Sequence, residues 1–145
     1  MLVVDTNVLI HAADLDSPFH GVCRGWLEAQ RLKADAWYST WPIVYEFLRV
    51  TTHPRVMRAP WIGPQAWSFI KSLMSAPGFS LLEPTNRHAE ILDRLIIGMP
   101  HLGGSIFHDA HTVALMREHG VRRIVTHDAD FHRFDGIEVF DPIAA

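Results

Sequence analysis

The sequence has one cysteine and no long apolar run, and each deficit excludes a class of protein. With Cys23 alone, no disulfide can form within the chain, which suits a reducing cytoplasm. No apolar stretch approaches the ~20 residues that a membrane-spanning helix requires. The amino terminus lacks the basic start and small-residue cleavage site of a signal peptide, and Asp5 interrupts its apolar run. We therefore expect a cytoplasmic protein with no membrane segment.

A strong excess of charge is also missing. The formal net charge is −3, so the chain is not a polycation and any surface for nucleic acid must be local. Internal repeats, low-complexity segments and linker-like shifts in composition are absent as well. With 145 residues, of which 48% are hydrophobic, the chain has the length and composition of one globular domain. We therefore predict a single domain over residues 1–145.

Short apolar runs alternate with helical patterns along the chain. Strands are predicted at residues 2–4, 36–39, 79–82, 123–126 and 137–140. Helices are predicted after Asp5 and at residues 17–33, 40–52, 64–76, 86–97 and 105–119. Strands separated by helices imply right-handed crossovers. The predicted fold class is therefore α/β, a three-layer sandwich with a mainly parallel five-stranded sheet.

Particular residues set the expected starts and inward faces of these helices. The predicted start signals are Ser17-Pro18, Thr40 and Asn86. In the helix at 17–33, the expected inward side chains are those of Val22, Trp26, Leu27 and Ala29. In the helix at 105–119, the apolar stripe at helical spacing consists of Ile106, Ala110, Val113 and Ala114.

The first ten residues organise the rest of the chain. The apolar run at residues 2–4 is too short for a helix and is typical of a central parallel strand buried on both faces. Asp5 follows at once and can cap the next helix through its carboxylate. It also lies at the carboxyl end of a strand, where open α/β folds place their ligand sites. The positions of the other acidic residues decide between these two interpretations.

Four further carboxylates lie where packing alone does not require them. Glu46 interrupts an apolar helix, and Asp109 lies beside the apolar stripe one turn into its helix, where partial burial is expected. Asp128 and Asp130 directly follow the fourth predicted strand, so they emerge at a carboxyl strand end as Asp5 does. Taken singly, each of these acids is also explained as a solvated surface charge or a cap.

Gathered together, these acids would require a neutralising ion. Two carboxylates about 4 Å apart repel by roughly 4 kcal/mol at an effective dielectric constant of 20. Such a cluster persists only when protons or a cation neutralise it. An all-oxygen ligand set favours Mg²⁺ or Mn²⁺ over zinc, and Mg²⁺ recruits phosphate oxygens. The acids therefore predict a metal site that acts on a phosphate or phosphodiester.

The ordered set of acidic segments resembles the motifs of PIN-domain ribonucleases. The matching segments are Val-Val-Asp-Thr-Asn at 3–7, the helix with Glu46, His-Asp-Ala at 108–110 and Thr-His-Asp-Ala-Asp-Phe at 126–131. The chain length and short last strand resemble the VapC-type toxins of bacterial toxin–antitoxin pairs. The stretch at 49–56 resembles one branch of these toxins. The resemblance covers nearly the whole chain.

This resemblance implies a set of roles and partners. Asp5, Glu46, Asp109 and Asp128 would hold Mg²⁺ or Mn²⁺, and Asp130 would assist in catalysis. The implied substrate is RNA. Asn7 and Thr126 match polar positions that support the site, and we assign both to substrate binding. The implied sheet order is 3-2-1-4-5. The implied partners are a second copy of the chain, in a homodimer, and a VapB-type antitoxin that blocks the active site.

Two other groups of residues have more than one interpretation. Arg49, Arg55 and Arg58 lie within ten residues that contain no acid, so they form either a phosphate-contacting patch near Glu46 or a solvated loop. We assign Arg49 and Arg55 to substrate binding on this basis. Trp61 and Trp67 lie near a loop, and we favour burial in the core over an exposed partner-binding patch.

Three alternative functions compete with a metal-dependent ribonuclease. Ten histidines, several next to aspartates, are compatible with a His/Asp metal phosphohydrolase, although that class is mainly helical. A phospho-acceptor signalling domain requires a late lysine, and no lysine follows Lys71. A catalytically inactive PIN-like module that binds RNA or a partner would not need the intact set of acids.

Overall fold

The chain folds into a five-stranded, all-parallel sheet flanked by six α-helices in a computed structural model that describes residues 1–145. The strands β1 to β5 are Leu2–Val4, Trp37–Thr40, Phe79–Leu82, Arg123–Val125 and Glu138–Phe140. The helices α1 to α6 are Thr6–Ala13, His20–Arg31, Trp41–Thr51, Gly63–Met74, His88–Gly98 and Ile106–Glu118. A 3-10 helix at Ala129–Arg133 joins β4 to β5.

The sheet order is β3-β2-β1-β4-β5, which confirms the α/β prediction and the implied order. Val3 and Val4 of the central strand are fully buried, as their unbroken apolar run predicts. Right-handed crossovers place α1 to α4 on one face and α5 and α6 on the other. The chain therefore leaves β1 and β4 in opposite directions, and a crevice opens at their carboxyl ends.

Two helices that carry candidate residues are placed as predicted. Thr40 caps α3, where its hydroxyl accepts a hydrogen bond from the Ile43 N–H at 3.3 Å, and Pro42 occupies the first turn. In α6, the predicted stripe is buried: Ile106, Ala110, Val113 and Ala114. Its burial leaves the adjacent position, Asp109, half-buried.

The predicted start of α2 is wrong, and of its predicted inward residues only Leu27 is fully buried. The helix begins at His20 rather than at Ser17, because the Ser17 hydroxyl accepts a hydrogen bond from the Phe19 N–H in a preceding turn. Its buried residues are Cys23, Leu27 and Gln30, whereas Val22 is exposed. Ala29 is exposed as well, and Trp26 is half-buried. The spacing of four and three residues from Cys23 to Gln30 marks the inward stripe.

Two smaller predictions also need correction. Asn86 does not cap α5, which begins at His88; instead Thr85 accepts a hydrogen bond from the Arg87 N–H at 3.1 Å. Trp61 packs its ring against Phe47 and Phe69, with centroids 6.4 and 5.8 Å away. Trp67, by contrast, is 36% exposed on α4.

None of the helices combines the length and the apolar character needed to cross a bilayer.

The turn before β3 requires glycine at position 78. Gly78 has a φ of +79°, and a Cβ there would lie 2.4 Å from the Asp35 carbonyl oxygen. We expect Gly78→Ala to lower the free energy of unfolding by more than about 1 kcal/mol, because steric overlap adds to the backbone strain. Gly136 has the same φ of +79° but open space around it, so Gly136→Ala isolates the strain. Equal losses in urea denaturation would contradict the steric explanation.

Candidate metal centre

Asp5 lies at the carboxyl end of β1 and is held there by hydrogen bonds. Its Oδ1 accepts a bond from the Thr6 N–H at 2.8 Å, which caps α1. Its Oδ2 accepts bonds from Asn7 Nδ2 at 3.0 Å and from the Thr126 hydroxyl at 2.7 Å. The side chain is buried. Both sequence-based interpretations apply to it, because Asp5 caps α1 and also lies at the crevice between β1 and β4.

The Thr126 hydroxyl joins the ends of the two central strands. It donates to Asp5 and accepts from Asn7 Nδ2 at 2.9 Å and from the Asp128 N–H at 3.0 Å. One donated and two accepted bonds satisfy its full capacity. Asn7 completes the link, because its Oδ1 accepts a bond from the His127 N–H at 2.9 Å. Thr126 is fully buried, so it orients Asp5 and does not offer the substrate contact that we predicted.

Three aspartates form a compact carboxylate group next to Asp5. Asp109, Asp128 and Asp130 each offer one carboxylate oxygen, and these oxygens lie within 4.8 Å of one another. The first turn of α6 presents Asp109, and the loop after β4 presents Asp128. Asp128 Oδ1 also accepts the Asp130 N–H at 2.9 Å, which folds the loop into the 3-10 helix and brings Asp130 into the group.

Glu46 faces the same cavity as the aspartates but lies outside the compact group. The cavity has a volume of about 700 Å³, and Asp5, Glu46, Asp109 and Asp128 all line it. Glu46 is engaged by Arg49 through two hydrogen bonds, from Nη2 at 2.6 Å and from Nε at 3.0 Å. This pairing holds the pKa of Glu46 below its ordinary value. The shared cavity brings residues from four separate segments of the sequence to one site.

Burial and neighbouring aspartates raise the pKa values of Asp5 and Asp109. Loss of hydration and the charges of Asp128, Asp5 and Asp130 raise the pKa of Asp109 to about 7. Burial, followed by the charge of Asp128, raises the pKa of Asp5, although its three hydrogen bonds oppose the shift. The unfavourable energy of these crowded charges is the property that a divalent cation relieves.

The donor set fits a hard divalent cation. Every ligand atom in the compact group is a carboxylate oxygen, and no histidine or cysteine belongs to it. Oxygen donors suit Mg²⁺ or Mn²⁺, whereas zinc sites in proteins usually include nitrogen or sulfur. The same composition argues against the His/Asp phosphohydrolase, for which His108 and His111 are the candidate histidines. His108 lines the cavity but is outside the compact group, and His111 lines a different cleft.

The remaining predicted residues divide between the cavity and its surroundings. Asn7 and Arg49 line the cavity, whereas Arg55 is exposed on the loop after α3 and does not. Sequence reasoning missed Tyr45, which lines the cavity beside Glu46. One signal in the sequence could have identified it. Tyr45 is an aromatic residue next to the candidate ligand Glu46, on a helix whose inward face was already assigned to other apolar residues.

Comparisons with known proteins agree with the fold. The family model for the PIN domain matches residues 2–137. Ribonuclease VapC48 of Mycobacterium tuberculosis is 34% identical over 140 residues, covering 97% of this chain and 96% of the relative. Ribonuclease VapC37 of the same species is 33% identical over 144 residues, covering 99% of both chains. A chain of the Rickettsia felis VapBC2 crystal structure, bound to a promoter DNA fragment, superposes with a TM-score of 0.68 at 12% identity, covering 97% of both chains.

The raised pKa of Asp109 predicts a pH-dependent loss of stability without metal. Between its unfolded pKa near 3.8 and its folded pKa of about 7, the folded state retains a proton that the unfolded state releases. Stability therefore falls as the pH rises through this window. We expect Asp109→Asn, which mimics the protonated form, to stabilise the protein in EDTA at pH 8, by about 1 kcal/mol after solvent screening.

The gain should shrink as the pH falls toward 4, as measured by thermal unfolding across the pH range. Asp93→Asn, at an exposed position on α5, serves as the control and should show no such trend. A pH-independent effect of Asp109→Asn would contradict the assignment.

Proposed function

The chain belongs to the PIN-domain family, and on that premise we propose that it is a divalent-metal-dependent endoribonuclease, the toxin of a VapBC-type toxin–antitoxin pair. The observation that carries the proposal is the group of Asp109, Asp128 and Asp130, whose carboxylate oxygens lie within 4.8 Å of one another beside the buried Asp5. Relatives named ribonuclease cover nearly the whole chain, which supports the same activity.

The proposed ligands of Mg²⁺ or Mn²⁺ are Asp5, Asp109 and Asp128, with Glu46 as a further ligand. Asp130 belongs to the compact group, and we propose that it shares this role in addition to assisting in catalysis. When bound, the cation would supply Lewis-acid stabilisation of the phosphodiester and lower the pKa of water at the site. Thr126 and Asn7 hold the Asp5 carboxylate in place, so it need not change its orientation when the cation and the substrate bind.

Arg49 supplies positive charge where the RNA backbone must enter. It is the only arginine or lysine that lines the cavity, and its side chain is 59% exposed. Its bidentate geometry with Glu46 also matches a phosphate group. We infer that a backbone phosphate competes with Glu46 for Arg49 and that Glu46 is thereby released toward the aspartates.

The proposed partners follow from the relatives. VapBC2 of Rickettsia felis has the same fold as this chain, and its name pairs VapC with VapB. We propose a VapB-type antitoxin that covers the acidic cavity and a homodimer as the assembled toxin. A reducing cytoplasm is the proposed location, in keeping with the single, buried cysteine Cys23.

Cleavage of RNA in the presence of Mg²⁺ or Mn²⁺ tests the proposed activity. We expect Asp109→Asn to lose at least about 100-fold in rate, because even residues that only support metal ligands contribute 10- to 100-fold. EDTA should abolish cleavage, and expression of the variant should no longer arrest growth. Asp93→Asn should cleave as the wild type does.

A metal-dependent rate unchanged by Asp109→Asn would refute the ligand assignment. Absence of cleavage from every RNA and with either cation would favour an inactive PIN-like binding module. Asp5→Ala is a poorer test than Asp109→Asn, since it also removes the cap of α1 and about 1 kcal/mol of stability.

Substitutions of Glu46 and Arg49, which form an ion pair at the cavity, should have opposite effects on the affinity for Mn²⁺. In calorimetric titration with Mn²⁺, Glu46→Gln should weaken binding because a ligand is lost. Arg49→Gln should strengthen binding about two- to fivefold, since an exposed ion pair of up to ~1 kcal/mol no longer restrains Glu46. Weaker Mn²⁺ binding by Arg49→Gln would contradict the competition between Arg49 and the cation.

A further inference from the structure

Two aromatic side chains on α3 are exposed although the fold does not require them there. Tyr45 is 67% exposed and Trp41 is 37% exposed. They lie four residues apart on the helix and therefore on one face. Their ring centroids are 6.3 Å apart, and the ring planes are tilted by 46°. Together they form a small apolar surface, which we call the aromatic pair.

The aromatic pair connects two concave surfaces. Tyr45 lines the cavity that holds the carboxylates, whereas Trp41 lines an adjoining cleft of about 390 Å³. Pro42 lines both, so the two spaces adjoin at the start of α3. The other walls of the cleft are mainly apolar and consist of Leu82, Glu83, Pro84, His111 and Leu115.

Two neutral aromatic residues and one positively charged residue follow one another along this edge of α3. Arg49 follows Tyr45 by one turn, so Trp41, Tyr45 and Arg49 recur at every fourth residue, about 6 Å apart along the axis. The Trp41 ring lies at the cleft, whereas the Tyr45 ring and the Arg49 guanidinium lie at the carboxylate cavity. The edge therefore presents flat apolar faces followed by one phosphate-binding group.

We propose that Trp41 and Tyr45 form a stacking platform for two nucleobases of single-stranded RNA next to the scissile phosphodiester. The proposal rests on the proposed ribonuclease function, because it takes the carboxylate cavity as the position of the scissile group. A strand with a phosphate in that cavity must pass over its rim, and the aromatic pair forms the rim toward the cleft. Stacking is tolerant of sequence, since every base presents a π-face.

A nucleic acid explains the position of the pair better than a second copy of the chain does. The neutral rings adjoin a group of carboxylates that attracts a phosphate only through its cation, so we expect the flanking nucleotides to bind there through their bases. Arg49 lies on the same edge of α3, and the two N–H groups that it now donates to Glu46 also match two oxygens of a phosphate. A homodimer interface would account for the exposed rings but not for their position beside the carboxylate cavity.

Equilibrium binding of RNA, separated from cleavage, tests the platform. Fluorescence anisotropy with a labelled 12-nucleotide single-stranded RNA would be measured in the Asp109→Asn protein, so that the probe stays intact. We expect Trp41→Ala and Tyr45→Ala each to weaken binding about 5- to 150-fold, the range for loss of one stacked base. Tyr45→Phe should restore most of the affinity, because it keeps the ring and removes only the hydroxyl.

Trp67→Ala is the matched control. Trp67 is 36% exposed, close to the value for Trp41, but it lies on α4 outside both concave surfaces. Affinity for RNA should not change in this variant. Circular dichroism melts of all variants verify that the fold is retained.

The outcomes separate the platform from the ribonuclease function. If the wild type cleaves RNA but Trp41→Ala and Tyr45→Ala bind RNA as Trp67→Ala does, the platform is wrong and the ribonuclease function stands. If these two variants lose RNA affinity while the wild type cleaves nothing, the platform is supported and the ribonuclease function fails. If they instead change the molar mass in light scattering without changing RNA affinity, the pair is a protein interface and the proposal is overturned.

Discussion

The repulsion among carboxylates at the ends of β1 and β4 is the constraint on which the rest of the site depends. Burial and neighbouring charge raise the pKa of Asp109 to about 7, so the acids are crowded against their own electrostatic preference. Hydrogen bonds from Thr126 and Asn7 hold Asp5 in this position. The fold thus supplies the free energy that keeps the negative charges together, and a cation would return part of it on binding.

The helices divide the remaining work of the site. The packed stripe of α6 fixes Asp109 at the crevice, whereas α3 buries Val44 and Phe47 on one side and presents Glu46 and Arg49 on the other. This difference explains why Asp109 belongs to the compact group and Glu46 does not. A side chain held beside a buried stripe has little freedom, but an exposed one can exchange partners.

Local patterns predicted most of the fold and the principal acids. The apolar run before Asp5 indicated a central strand, and the stripe of α6 indicated the half-burial of Asp109; the structure confirms both. The errors occurred where local signals competed. Ser17 resembled a cap but formed a turn, and the inward face of α2 passed through Cys23 and Gln30 rather than Val22.

The sequence by itself determined the alternation of strands and helices and the presence of acids at strand ends, because hydrophobic periodicity and strand direction are local properties. Only the tertiary structure decided which oxygens approach one another. It buried the Thr126 hydroxyl against Asp5, although 121 residues separate them in the sequence. It also placed Glu46 in an ion pair with Arg49 and outside the compact group of aspartates. Such choices depend on side-chain rotamers and on the distance between elements, which no spacing along the chain encodes.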